Sequence, residues 1–102
     1  MAVKNLTSNN FDEFISKGKS VIDFHAGWCG PCKIVSPIVD KLSTEMKGVK
    51  FGKIDVDRES ELAQRFQVMS IPTLIFFKEK EQVDRYVGAL SKEELKEKIE
   101  EI

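Results

Sequence analysis

The sequence predicts an α/β fold with a mixed central β-sheet of four to five strands and helices on both faces. Strand-like and helix-like segments alternate through the first part of the chain, and such alternation is typical of parallel strands joined by helical crossovers. Two strand-like runs separated by a charged turn follow, and they indicate an antiparallel hairpin. The chain of 102 residues is long enough for one domain, 1–102, with its own core.

The first half of the chain predicts a short strand, a helix, a strand and a longer helix. A short strand is expected near residues 3–6. Residues 7–18 predict a helix, because capping residues precede apolar residues at helical spacing and a glycine ends the segment. Lys19–His25 is nearly continuously apolar, which favours a strand covered on both faces. A helix then begins at the cysteines and ends at Gly48, and Pro37 is expected to kink it because proline has no N–H to donate.

The second half predicts two strands that form a hairpin, with a short helix before it and a longer one after it. Residues 50–56 alternate as a strand, and residues 58–66 have the spacing of a short helix. Residues 73–77 are the most strand-like run, and residues 82–87 return after the charged turn. Residues 91–94 have the sequence of a capping box, so the last helix begins there.

Charge and hydropathy argue against several classes of partner. Sixteen basic residues nearly balance seventeen acidic ones, so no large positive field favours nucleic acid or an anionic membrane. No apolar run reaches the roughly 18 residues of a membrane span, and the N-terminus lacks the apolar core of a signal peptide. We therefore expect a cytoplasmic protein, in a compartment where thiols are kept mostly reduced.

The only two cysteines, Cys29 and Cys32, lie two residues apart in the segment WCGPC. Half of a zinc site is one alternative, but a structural zinc needs about four ligands, and His25 is the only histidine. A packed cysteine pair is a second alternative, because free cysteine is often buried. Gly30 and Pro31 argue against it, since they build a rigid turn that another backbone can approach. We expect no metal and a reactive dithiol.

The predicted helix start gives the two cysteines different roles. Cys29 would occupy the helix N-terminus, where free N–H groups and the helix dipole stabilise a thiolate. Cys32 would lie one turn inside and be more buried and more protonated. We therefore expect Cys29 to attack a substrate disulfide and Cys32 to resolve the mixed disulfide.

Asp23 is unusual because it lies in an apolar strand. Strand alternation could point it to solvent, whereas burial would raise its pKa and suit it to proton transfer near neutral pH. Lys53 on the next predicted strand could be its charge partner, or simply a solvated residue. Pro72 after Ile71 favours an edge or a turn, and sequence physics alone does not favour a cis bond there.

Over essentially its whole length the chain resembles the thioredoxin family. Residues 28–33, WCGPCK, match its active-site motif, and further family markers follow in the right order. These are the buried aspartate and its lysine, the helix proline, the cis-proline segment and the groove glycine, matched by Asp23, Lys53, Pro37, Ile71-Pro72-Thr73 and Gly88.

The resemblance implies the thioredoxin fold, a cis Pro72 beside the cysteines, and a buried Asp23 that assists proton removal from Cys32. Substrates would pair with the backbone of the cis-proline edge, as in β-augmentation. The surface that binds them would be formed by Trp28, Gly30, Pro31, Ile71, Pro72 and Gly88.

The function implied is a cytosolic protein disulfide reductase that works as a monomer. It would need no bound cofactor, because the dithiol is the redox centre. A thioredoxin reductase-type enzyme would recycle it, and diverse disulfide-containing proteins would be its substrates. Two alternatives stay open: a disulfide oxidase or isomerase, and a non-catalytic interaction module with the same fold.

Three positions depart from the family pattern. His25 replaces a usual tryptophan, and one alternative is that it is merely an exposed histidine. We expect instead that its imidazole N–H bonds Asp57, and that this bond adds pH sensitivity between about pH 5 and 8. Ser70 replaces a common glycine before the cis-proline pair. Lys80 lies where the hairpin turn often has glycine, so a positive φ there would carry strain.

Overall fold

The computed structural model describes residues 3–102 and has a five-stranded mixed sheet with four helices. The strands lie in the order β1-β3-β2-β4-β5. β1, β3 and β2 are parallel, whereas β4 is antiparallel to β2 and to β5. In chain order the elements are β1 (Val3–Asn5), α1 (Phe11–Phe14), β2 (Lys19–His25), α2 (Gly30–Glu45), β3 (Val49–Asp55), α3 (Ser60–Arg65), β4 (Thr73–Lys78), β5 (Glu81–Val87) and α4 (Lys92–Glu100).

Each face of the sheet has its own apolar cluster, so the predicted fold class is confirmed. Val21 faces one cluster and its neighbour Ile22 faces the other, as strand alternation requires. The first cluster contains buried residues of α2 and α4, and the second contains buried residues of α1 and α3. The strongly apolar β2 lies between β3 and β4 and is buried from both sides, with Val21, Ile22 and Phe24 fully covered.

α1 is much shorter than the helix predicted for residues 7–18. It forms a single turn, and its N-cap is Asn10 rather than one of the three residues before it. The Asn10 side chain makes no cap; its Oδ1 accepts a hydrogen bond from the Thr7 N–H at 2.8 Å. Because the Asn10 side-chain oxygen is bonded to Thr7, it does not cap the start of α1, and a longer helix lacks that stabilisation.

α2 and α4 follow the sequence closely. α2 continues through Pro37, and Gly48 beyond its end has a left-handed backbone, φ +85°. The capping box of α4 is confirmed: Ser91 Oγ accepts from the Glu94 N–H at 3.1 Å, and Glu94 Oε1 accepts from the Ser91 N–H at 3.0 Å. The kink expected at Pro37 stays a prediction.

α3 ends in a Schellman motif with glutamine at the left-handed position. Gln67 has φ +53°, and the Val68 N–H donates to the Ala63 carbonyl at 2.8 Å. The Arg85 guanidinium on β5 donates to the Phe66 carbonyl and, at 3.4 Å, to the Gln67 carbonyl. Arg85 thus ties the end of α3 to the hairpin.

The turn between β4 and β5 has two non-glycine residues with positive φ, Glu79 at +49° and Lys80 at +79°. Such angles are those of a type I′ turn, which fits the twist of a hairpin. Lys80 therefore adopts the backbone that the family resemblance anticipated, and Glu79 is held by the Gly18 N–H, which donates to Glu79 Oε2 at 2.5 Å.

Candidate active site

Cys29 and Cys32 form a disulfide at the start of α2, with their Cα atoms 5.3 Å apart. Cys29 is the N-cap of the helix, and its Sγ accepts a hydrogen bond from the Cys32 N–H at 3.2 Å. The helix begins at Gly30, so Pro31 takes its second position rather than the first. A proline suits that position because the first N–H groups of a helix have no partner within it.

Cys29 and Cys32 are nearly equally buried, with exposed fractions of 4% and 3%. The greater burial expected for Cys32 amounts to no real difference in the disulfide state. Cys29 packs in one cluster with Cys32 and Ala26, and Val56 and Ile71 pack against that cluster. The exposed parts of the motif are instead Gly30, Pro31 and Trp28, whose side chain is 71% exposed.

The expected hydrogen bond from His25 to Asp57 is wrong. Asp57 is bonded by Trp28, whose indole Nε1–H donates to Asp57 Oδ2 at 2.9 Å. His25 is the last residue of β2 and pairs in register with Asp55. It is half-buried, and burial lowers the pKa of its imidazole, with Asp55 opposing and Lys53 adding to that effect.

Asp23 is buried, 2% exposed, and lies opposite Lys53 in the β2–β3 register. Burial raises the pKa of Asp23 to about 7; Lys53 opposes the shift, and Asp40 adds to it. Its Oδ1 is buried and has no hydrogen-bond partner among residues 3–102. A carboxyl group in this environment can take or give a proton near neutral pH.

The segment before β4 lies against the disulfide. The Ile71–Pro72 bond is cis, as the family resemblance implied, and Ile71 packs on the cysteine cluster. The Pro72 carbonyl accepts from the Gly88 N–H at 2.9 Å. Gly88 has φ +108°, a conformation that side-chain-bearing residues rarely adopt, so glycine is required there.

The exposure of Met69 was not predicted from the sequence. Met69, two residues before Ile71, is 92% exposed. It lines a groove with Val56, Ala63 and Val68 beside α3. The sequence around Met69 has no helical or strand periodicity and no charged residue, so it predicts neither burial nor exposure of this side chain.

Within residues 3–102, no group of three or more His, Cys, Asp or Glu side chains is arranged to hold a metal ion. No helix in that part of the chain is long and apolar enough to cross a membrane.

A disulfide at the N-terminus of a helix, beside a buried carboxyl group and a mixed sheet, defines a thiol–disulfide exchange protein. The thioredoxin family model matches residues 2–101. The thioredoxin of Staphylococcus saprophyticus is 46% identical over 101 residues, which cover 98% of this chain and 97% of that protein. The thioredoxin of Chlamydia pneumoniae is 47% identical over 91 residues, 89% of each chain.

A solved structure agrees with these relatives. A mutant thioredoxin from Halobacterium salinarum NRC-1 superposes with a TM-score of 0.91 at 35% identity, covering 97% of this chain and 88% of that one. The chain therefore belongs to the thioredoxin family. It is a thioredoxin-type protein disulfide reductase, and the family implies a redox partner such as a reductase together with disulfide-containing substrates.

Proposed function

We propose that Cys29 attacks substrate disulfides and that Cys32 resolves the mixed disulfide. The observation that carries this division is the position of Cys29 as the N-cap of α2, where its Sγ accepts the Cys32 N–H. That N–H and the positive end of the helix would stabilise a thiolate on Cys29. Cys32 lies inside the first turn and is bonded to Cys29 in the disulfide state, so it is placed to attack the Cys29 sulfur.

The exchange proceeds in two balanced steps. The Cys29 thiolate forms a bond to one substrate sulfur, the substrate S–S bond breaks, and the second substrate sulfur leaves as a thiolate that takes a proton. Cys32 then loses its proton and attacks the Cys29 Sγ, and the first substrate sulfur leaves as a thiolate. Two electrons pass to the substrate, and the protein ends with its Cys29–Cys32 disulfide.

Asp23 is the proposed acceptor of the Cys32 proton. A carboxyl group with a pKa of about 7 matches the requirement that a general base titrate near the working pH. Lys53 lies opposite Asp23 on β3 and supports its ionised form, so we assign Lys53 a part in tuning this base.

Substrates would bind along the edge of the segment before β4, with main-chain pairing to Ile71. Gly88 has no side chain to obstruct that approach, and its N–H fixes the Pro72 carbonyl. The exposed Trp28, Gly30 and Pro31 would complete the surface on the other side of the disulfide.

We further propose a single domain over residues 1–102 that acts as a monomer in the cytoplasm without a bound cofactor. A monomer leaves the docking surface free for diverse disulfide-containing proteins. A thioredoxin reductase-type enzyme would return the dithiol state, which the reducing cytosol also favours.

The roles of the two cysteines can be separated by trapping. Cys32→Ser should accumulate a mixed disulfide between Cys29 and substrate, because nothing remains to resolve it, and mass spectrometry of the non-reduced complexes should locate the bond at Cys29. Cys29→Ser should trap nothing and should fail to reduce insulin. Complexes that form on Cys32 in the Cys29→Ser protein, but not on Cys29 in the Cys32→Ser protein, would reverse the assignment.

A further inference from the structure

Four titratable side chains share one face of the sheet below the disulfide. Asp23 pairs in register with Lys53, and His25 pairs with Asp55, on the parallel strands β2 and β3. Residues two apart on a strand project from the same face. The apolar residues that precede them on both strands belong to the cluster under α2 and α4, so these four groups lie on the α2 side.

His25 lines two cavities. One, of about 410 Å³, is lined by His25 together with Cys32, Pro37 and Asp40. The other, of about 340 Å³, is lined by His25 together with Lys53 and Asp55. The imidazole therefore borders both the space beside the resolving cysteine and a separate, more polar cleft.

The Asp23 side chain has very little contact with water, whereas its neighbour on the same face of β2 has more. Asp23 is 2% exposed, and its Oδ1 has no partner among residues 3–102. His25 is the next residue on that face of β2 toward the strand end, and it is half-buried rather than buried. It is thus the first titratable group on β2 beyond Asp23 that reaches solvent.

We propose that His25 is a positioning residue for the reductase reaction, acting through Asp23 by carrying its proton to solvent. This inference rests on the proposed role of Asp23. The proton leaves Cys32 for the Asp23 carboxylate, then passes to the unprotonated nitrogen of the His25 imidazole, and is released to water in the bordering cleft. The route is reversed when the disulfide is reduced again, and no electrons move along it.

The charges around His25 are mixed. Burial, above all, lowers the pKa of His25 and Lys53 lowers it further, whereas Asp55 raises it. The ionisable groups that face it or line the cavities it borders are Asp23 on its own strand, Lys53 and Asp55 on β3, Lys33 and Asp40 on α2, and Arg58 and Glu59 before α3.

The test measures the resolving step directly. A mixed disulfide on Cys29 is formed, and the release of substrate thiol is followed by rapid acid quench between pH 5.5 and 8.5. His25→Ala should slow this step at pH 7 by about tenfold, less than the roughly 100-fold or more of a direct general base. Added imidazole should restore the rate, and methylimidazoles of different basicity should restore it in proportion to their base strength.

Two further variants control for misfolding and for a change in the shape of the cavity. His25→Gln keeps a polar side chain of similar size, so it should fold even if the alanine variant does not, and it should be equally slow. Ser36→Ala lines the same cavity without a titratable group and should keep the wild-type pH profile. A wild-type profile in His25→Gln, or rescue that is indifferent to base strength, would overturn the proposal.

Asp23→Asn separates this inference from the proposed function on which it rests. If Asp23→Asn slows the resolving step and the His25 variants do not, the route through His25 is wrong and Asp23 keeps its role. If Asp23→Asn leaves the step unchanged, the proposed role of Asp23 fails, and the route through His25 fails with it.

Discussion

The carboxyl group of Asp23 opposes folding whenever it is ionised. Its folded pKa of about 7 lies above its ordinary value of 3.8 because burial disfavours the charge. The folded state therefore binds more protons than the unfolded state between these two values. The contribution of Asp23 is most favourable below about pH 4, falls as pH rises through 7, and is constant above that.

Asp23→Asn should consequently be more stable than the wild type above pH 7. The pKa-dependent part of the difference is about 4 kcal/mol, since each pKa unit corresponds to about 1.4 kcal/mol. Urea unfolding of the oxidised proteins from pH 4 to 8.5 should show the advantage of the variant shrinking as pH falls. A stability difference that does not change with pH would contradict a raised pKa for Asp23.

At this scale the sequence predicted the reactive groups better than their partners. Cys29, Cys32 and Asp23 could be located because their residue types are unusual in their surroundings. The partner of Asp57 could not, because it depends on how the loop after β2 bends. His25 ends the strand on the α2 side, whereas the exposed Trp28 folds over to reach Asp57.

The end of α3 has a residue whose backbone conformation favours glycine. Gln67→Gly should stabilise the protein by about 1 kcal/mol, because φ +53° costs energy for a residue with a Cβ and the helix cap needs that angle. Thermal and urea unfolding would measure the gain.

Gln64 provides a matched control, since it is the same residue type, exposed, and within α3. Gln64→Gly should destabilise the protein by about 1 kcal/mol, the usual cost of glycine in a helix. Equal effects at the two positions would mean that the left-handed angle at Gln67 carries no strain.

Element bounds could be predicted where local chemistry decides them. The capping box fixed the start of α4, and the continuous apolar run fixed β2. α1 could not be predicted in the same way, because its candidate capping residues form a turn among themselves and only Phe11 of its four residues is fully buried.

Gly52 on β3 lies close to side chains of the segment between β1 and β2. Gly52 lies on β3 between β1 and β2, and a Cβ there would meet Leu6 Cδ1 at 2.5 Å and Phe14 Cε2 at 3.1 Å. Leu6 is 3% exposed, so it has little room to move aside.

Gly52→Ala should therefore cost about 1–3 kcal/mol, the usual range for overpacking a core. Gly27→Ala is the control, since no atom lies within 4 Å of a Cβ at that position and its φ is not in the left-handed region. Urea unfolding of both variants would test the difference, and an unchanged midpoint for Gly52→Ala would show that Leu6 and Phe14 yield freely.

For the molecule as a whole, the alternation of segments predicted the mixed sheet with helices on both faces. The strand order was beyond what spacing alone could give, since it depends on which strands pair across the crossovers. The central place of β2 follows from burial on both faces, and that was visible in its continuous apolar sequence.

Trp28 gives the protein a built-in optical label. It is the single tryptophan of the chain, it directly precedes Cys29, and its indole N–H is held by Asp57 while the ring faces water. Ultraviolet light absorbed by indole therefore excites one spot, at the mouth of the disulfide. The indole emission of the unlabelled protein reports on that position alone, so substrate docking and redox change can be followed there without a dye.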